Sequence, residues 1–166
     1  MANGLESVKL GLLMSMLILL FGIGLGVSFG VNEDGIKGWI DAGIAAHQDK
    51  HDSNSSAKIW RFSQRAHFHA MGLGASTLAL ILAVAMSSMG EWLKQVTSLL
   101  IGLGSLYPLS WFTMFLLAPS MGRDEAHHAF LTELWTWVGV GSLLAGLGIL
   151  FLHVLTGRES GAPVGE

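Results

Sequence analysis

Histidine is the most chemically capable residue in this chain, and its placement is uneven. Six of the seven histidines (His47, His51, His67, His69, His127 and His128) lie where apolar segments begin or in the polar stretch between two of them. Imidazole is costly in lipid unless it is paired, hydrated or ligating. A cluster of it at one end of an apolar bundle therefore points to a haem or metal site. The chain has no cysteine, which excludes disulfides, iron–sulfur clusters, covalently attached haem and thiolate zinc or copper sites. Any metal must be held by His, Met, carboxylate or backbone oxygen.

Composition places these histidines in a bilayer. Only 13% of the 166 residues are charged and 51% are hydrophobic, against roughly 25% charged in a soluble domain. The net charge is −3 with no basic run, so no nucleic-acid partner is expected. Four stretches reach the roughly 20 apolar residues a spanning helix needs: about Leu10 to Gly30, Ala66 to Gly90, Val96 to Ala118 (stopped by Pro119) and Leu134 to Leu155. The first is too long for a signal h-region and is read as a retained helix. The last is expected to start earlier, with Asp124 as its cap.

The fold expected is an all-α integral membrane protein of one domain, a four-transmembrane-helix up-down bundle. Its helices are predicted at approximately 8–31, 57–90, 92–118 and 124–156. One long polar loop covers 32–56, within which Gly35 to Ala46 could form a short interfacial helix, and a polar tail covers 157–166. Short connections make neighbouring helices antiparallel, so the starts of the second and fourth helices share one membrane face and bring the six histidines together. That end also carries most of the basic residues, which the positive-inside rule would place in the cytoplasm. The first helix, with only Lys9 before it, argues for an N-terminus inside, and the histidine end is expected outside. The setting expected is a bacterial inner membrane.

Lipid gives helices no hydrophobic reason to associate, so bundle interfaces use small residues. On the second helix, steps of three and four from Arg65 give His69, Gly72, Ser76, Ala79, Ala83 and Met86. On the fourth they give His128, Thr132, Trp135, Gly139, Ser142, Gly146, Ile149 and His153. His69 and His128 are thus the expected inward pair. His67 lies about 200° around the helix from His69 and His127 about 100° from His128, so these two are expected to line a neighbouring groove or support the pair.

A b-type haem needs two axial ligands, small residues beside the macrocycle and cations for its propionates. His69 and His128 supply the first. Gly72 and Gly139 supply the second, and Arg61, Arg65 and Arg123 the third, with Trp60, Trp111, Trp135 and Phe68 available at the edge. The reading is therefore a membrane b-type cytochrome-like electron-transfer protein binding haem b between the second and fourth helices, with a quinone or a redox protein as partner and a homo- or hetero-oligomer as its assembly.

Two alternatives stand beside it. One is an accessory subunit of a larger membrane complex. The other is a copper, zinc or iron site at His47 and His51, four residues apart and surrounded by Asp49, Asp52, Asp124 and Glu125; the plainer reading of these two is solvated loop histidines. Glu133, the carboxylate nearest the apolar part of the fourth helix, suggests a proton-relay or quinone role, or a side chain that simply reaches water. His153, with Met86 and Met89, could form a second centre at the opposite end, but a ring at the headgroups explains it more simply. Tyr107 reads as an interfacial anchor. The 22 glycines form no dinucleotide fingerprint, because no strand precedes them, and no hydrolase constellation is present.

Overall fold

The computed structural model describes residues 2–156, so the expected polar tail at 157–166 lies outside the described residues. All regular structure among them is helical: α1 (Ala2–Ala46), α2 (Ser55–Met86), α3 (Glu91–Gly104), α4 (Pro108–Met121), α5 (Arg123–His127) and α6 (Phe130–Leu155), with a single 3-10 turn at Gln48–Lys50. Four stretches are long and apolar enough to cross a membrane: Leu5–Ala46, Ser55–Met86, Glu91–Met121 and Phe130–Leu155.

The first connection is shorter than the composition suggests. α1 bends at Asn32 (φ −142°, ψ 40°) and then continues to Ala46, so most of the polar loop expected over 32–56 is helix and the connector is only 47–54. The cause is an amphipathic pattern. Ile36, Ile40 and Ile44 recur every four residues and pack on Ile59, Phe115 and Ala118, while the polar face carries an (i, i+4) ion pair between Glu33 and Lys37. At 1.5 Å per residue the 45-residue α1 is about 67 Å long, more than twice a hydrocarbon core of about 30 Å.

The third span is interrupted where Pro108 has no N–H to give. The chain tightens to i→i+3 bonds at Ser105, Leu106 and Tyr107, and α4 restarts with Pro108 in its first turn. Pro119 does not stop the segment. α4 runs to Met121 and ends at Gly122, whose φ of +89° suits only glycine well. The fourth segment is also divided. α5 starts after Gly122 with no side-chain cap, Asp124 being merely an acidic residue of its first turn. The chain then breaks at His128 and Ala129 before α6. Across this break Thr132 Oγ1 donates to the carbonyl of Ala126 (2.8 Å), satisfying a carbonyl the break would orphan.

Packing is asymmetric. α1, α2 and the α3–α4 span pack against one another. α6 lies against α3 and α4 and has no substantial contact with α1 or α2. Its buried seam is Thr132, Gly139, Gly146 and Leu150, and the glycines are where backbones meet: a Cβ on Gly139 would lie 2.8 Å from the Tyr107 Cα, and one on Gly146 2.8 Å from Ile101. The interior face of α2 is Ile59, Ser63, Ala66, Ala70, Gly74, Thr77, Ile81 and Val84. The seam expected there (Gly72, Ser76, Ala79, Ala83 and Met86) is exposed, because α2 buries itself against α1 and has no α6 beside it.

Candidate functional site

The six histidines do not share one level: His47 and His51 lie in the 47–54 connector, whereas His67 and His69 are more than three turns into α2 rather than at its start, and they face different ways. His67 points at α1. Its Nδ1 lies 2.8 Å from the Gly22 carbonyl, its ring stands edge-on to Phe29, and a Cβ on Gly26 would lie 2.8 Å from it. His67 thus fills the space that Gly26 leaves and ties the two helices together.

His69, two residues on, faces α4. Its ring stacks on Trp111 (5.8 Å, 29°) and meets Tyr107 edge-on (5.4 Å). Its Nδ1 lies 2.8 Å from the Arg65 carbonyl. A carbonyl can only accept, so Nδ1 carries the proton and the neutral ring presents a bare Nε2 lone pair. The Arg65 guanidinium lies over Trp111, 4.8 Å from the ring centre. Tyr107 and Trp111, four residues apart, form the aromatic platform beneath this histidine.

The same two aromatics form one wall of a cavity of about 220 Å³ whose other wall carries His127, His128, Glu133 and Trp137. His128 was expected at the top of the α6 inner seam. The chain break instead leaves it exposed, with its Nδ1 3.3 Å from Glu133 Oε1 and its ring edge-on to His127 at 4.9 Å. In the neutral ring with Nδ1–H toward the carboxylate, Nε2 is bare. His69 and His128 therefore flank the Tyr107–Trp111 platform, each with Nδ1 held by an oxygen. Oxygen-held Nδ1 is the usual support of a metal-ligating imidazole. Trp111 Nε1 is buried with no hydrogen-bond partner, and an orphaned donor at a cleft calls for an acceptor from a ligand.

The remaining expected site residues divide. Gly72, one turn below His69, is exposed and a Cβ there would meet nothing. Gly139 leaves no room for a ligand, because Tyr107 occupies it. Arg61 is exposed and Trp135 half-buried. Arg123 is turned away to Asp52 (2.8 Å), and with Lys50–Glu125 (3.4 Å) it clasps the 47–54 connector onto α5. His47 and His51 do not converge: His47 Nδ1 bonds the Gly43 carbonyl (3.0 Å) and His51 Nε2 the Pro119 carbonyl (3.1 Å). No three His, Asp or Glu side chains come together as a bare ion would need among the described residues. At the opposite end His153 Nε2 lies 3.2 Å from the Ser88 hydroxyl, while Met86 is exposed and Met89 buried.

The Tyr107–Trp111 platform is the feature that the sequence reading did not assemble. Its signal was there in the (i, i+4) aromatic spacing directly after a helix break. Two imidazoles are a donor set that a haem, whose ring nitrogens supply four ligands, could use; of the two, His128 lines the cavity and His69 lies against the platform outside its lining. Enclosure is partial: 220 Å³ is below the roughly 300–1,000 Å³ of pockets that engulf a ligand, so a macrocycle here would keep an edge toward lipid. Comparison with protein-family models, curated proteins and solved structures gives no match.

Proposed function

We propose that this is a membrane b-type cytochrome-like electron-transfer protein that holds haem b between His69 of α2 and His128 beside α6, at the Tyr107–Trp111 platform. The observation that carries this reading is the pair of histidines flanking the platform, His69 and His128, each with Nδ1 engaged by an oxygen and Nε2 free. When bound, haem supplies a one-electron couple. The chain's own residues do the rest: His69 and His128 would ligate, while Arg65, over the Trp111 ring, would meet a propionate. The open α2 surface at Gly72 leaves the flank of the macrocycle clear. A quinone or a redox protein is the partner this activity implies, since electrons must arrive and leave. The accessory-subunit reading draws on the lipid-facing small residues of α2, which a neighbouring subunit could cover.

Absorption spectra of protein purified from haem-replete cells, oxidised and dithionite-reduced, decide the matter. A Soret band that shifts on reduction, with sharpened α and β bands, is expected. Absence of a Soret band sinks the haem reading, and metal analysis of the same sample then separates a copper or zinc protein from an accessory subunit.

A further inference from the structure

On the membrane face opposite the histidine cleft, α1 and α3 both enter the bilayer and leave between them a groove of about 510 Å³. Glycine sets its floor. A Cβ on Gly102 would lie 2.7 Å from the Gly11 Cα, and one on Gly11 would run into the Ser98 carbonyl. With the backbones this close, Leu10 and Leu13 on one side and Val96 and Leu99 on the other stand up as walls.

The groove is graded along the membrane normal. Glu6, Lys9 and Gln95 sit at its mouth; Leu13 and Leu99, about one to two turns deeper or up to roughly 10 Å, make its inner end aliphatic. Trp92, largely exposed beside the mouth, marks headgroup level. Glu6 and Lys9 form an ion pair 3.7 Å apart with both side chains exposed, so the mouth offers adjacent charges of opposite sign. The neighbouring charges are already engaged: Glu91 accepts from the Ser7 hydroxyl, and buried Lys94 donates to the Ala85 carbonyl (3.0 Å).

We propose that this groove binds a zwitterionic aminophospholipid, with its phosphate at Lys9, its primary ammonium at Glu6 and one acyl chain between Leu13 and Leu99. Charge complementarity selects the occupant. An anionic headgroup would meet Glu6 unpaired, and a choline headgroup has no N–H to donate to it. The volume falls within the roughly 300–1,000 Å³ of ligand sites. The proposal is independent of what the histidine cleft holds.

Native mass spectrometry of the full chain released from nanodiscs containing equal phosphatidylethanolamine, phosphatidylglycerol and phosphatidylcholine tests it. The expected result is one retained phosphatidylethanolamine, several-fold above the other two. Leu13→Trp, at an exposed position where the larger ring fills the groove, should remove that adduct. Glu6→Gln should erase the preference for ethanolamine over choline, and Lys9→Met should weaken retention of both. Equal retention of the three lipids by the native chain, preference for phosphatidylglycerol, or an undiminished adduct in Leu13→Trp would overturn the proposal.

Discussion

His67 and His69 are two residues apart on α2 and are bound to different helices: His67 Nδ1 is bonded to the Gly22 carbonyl on α1, and the His69 ring is stacked on Trp111 of α4. Their substitutions should therefore separate function from folding. His69→Ala removes a proposed ligand from the cleft, and haem per folded protein should fall to background. His67→Ala instead removes a hydrogen bond and the ring that fills the space beside Gly26, the bond alone being worth about 0.5–1.5 kcal/mol, and should lower the melting temperature while haem per folded protein stays near wild type. Absorbance of the size-exclusion peak and a thermal melt read both. Equal haem loss from the two variants would show that the division between the two faces is wrong.

Two glycines make a second contrast. Gly139 lies against Tyr107, so a methyl there must push backbone apart, a strain of about 1–3 kcal/mol. Gly139→Ala should loosen α6 and lower stability. Gly72 faces open space, so Gly72→Leu should leave the melt unchanged, yet it should displace a macrocycle lying against α2 below His69. Unaltered haem content in a folded Gly72→Leu protein would move the macrocycle away from that face.

How far these features were legible depends on how much each pattern constrained. The four spans followed from charge-free runs, because lipid tolerates little else. The α6 seam through Thr132, Gly139 and Gly146 followed from small residues at helical spacing, and those residues are buried. The same rule misread α2 because that helix has small residues on two faces: Ala66, Ala70 and Gly74 meet α1, whereas Gly72, Ser76 and Ala79 meet nothing. Composition could not tell which face had a neighbour. The break at His128 carries no Gly or Pro to announce it and rests on the tertiary bond from Thr132 to Ala126. The helix over 33–46 was legible in part, as a short interfacial helix at Gly35 to Ala46; its charged face hid its continuity with α1, although Ile36, Ile40 and Ile44 carried its period.

The clasp over the histidine end should open in acid. Asp52 accepts from the Ser55 hydroxyl and the Asn54 N–H and faces Arg123 and Lys58. These contacts, the Ser55 bond first, hold its carboxyl below the usual range. A carboxyl lowered in the folded state contributes stability that is present above its unfolded value, about 3.9, and is lost as the pH falls through the folded value. Spin labels at the exposed Ser53 and Ser120 should give a narrow distance distribution at neutral pH that broadens below about pH 4. Asp52→Asn should be broad throughout. A distribution that stays narrow in acid would show that the connector is held without Asp52.

Glu133 offers the sharpest test of the second ligand. Its carboxylate accepts from His128 Nδ1 across the α5–α6 break, and a charged acceptor makes an imidazole a stronger donor to a metal through its other nitrogen. Stronger donation favours ferric over ferrous iron, so the pair should hold the haem potential low. Glu133→Gln keeps an acceptor of the same shape without the charge, and the midpoint should rise with haem content nearly unchanged. Glu133→Ala removes the acceptor, and haem affinity should drop by roughly 10–100-fold, as for other lost supports of a ligating histidine. A redox titration with a haem-loss assay measures both. If neither variant moves the potential or the affinity, His128 is not an axial ligand, and exposed His127, whose ring lies 4.9 Å away in the same cavity, takes its place as the candidate.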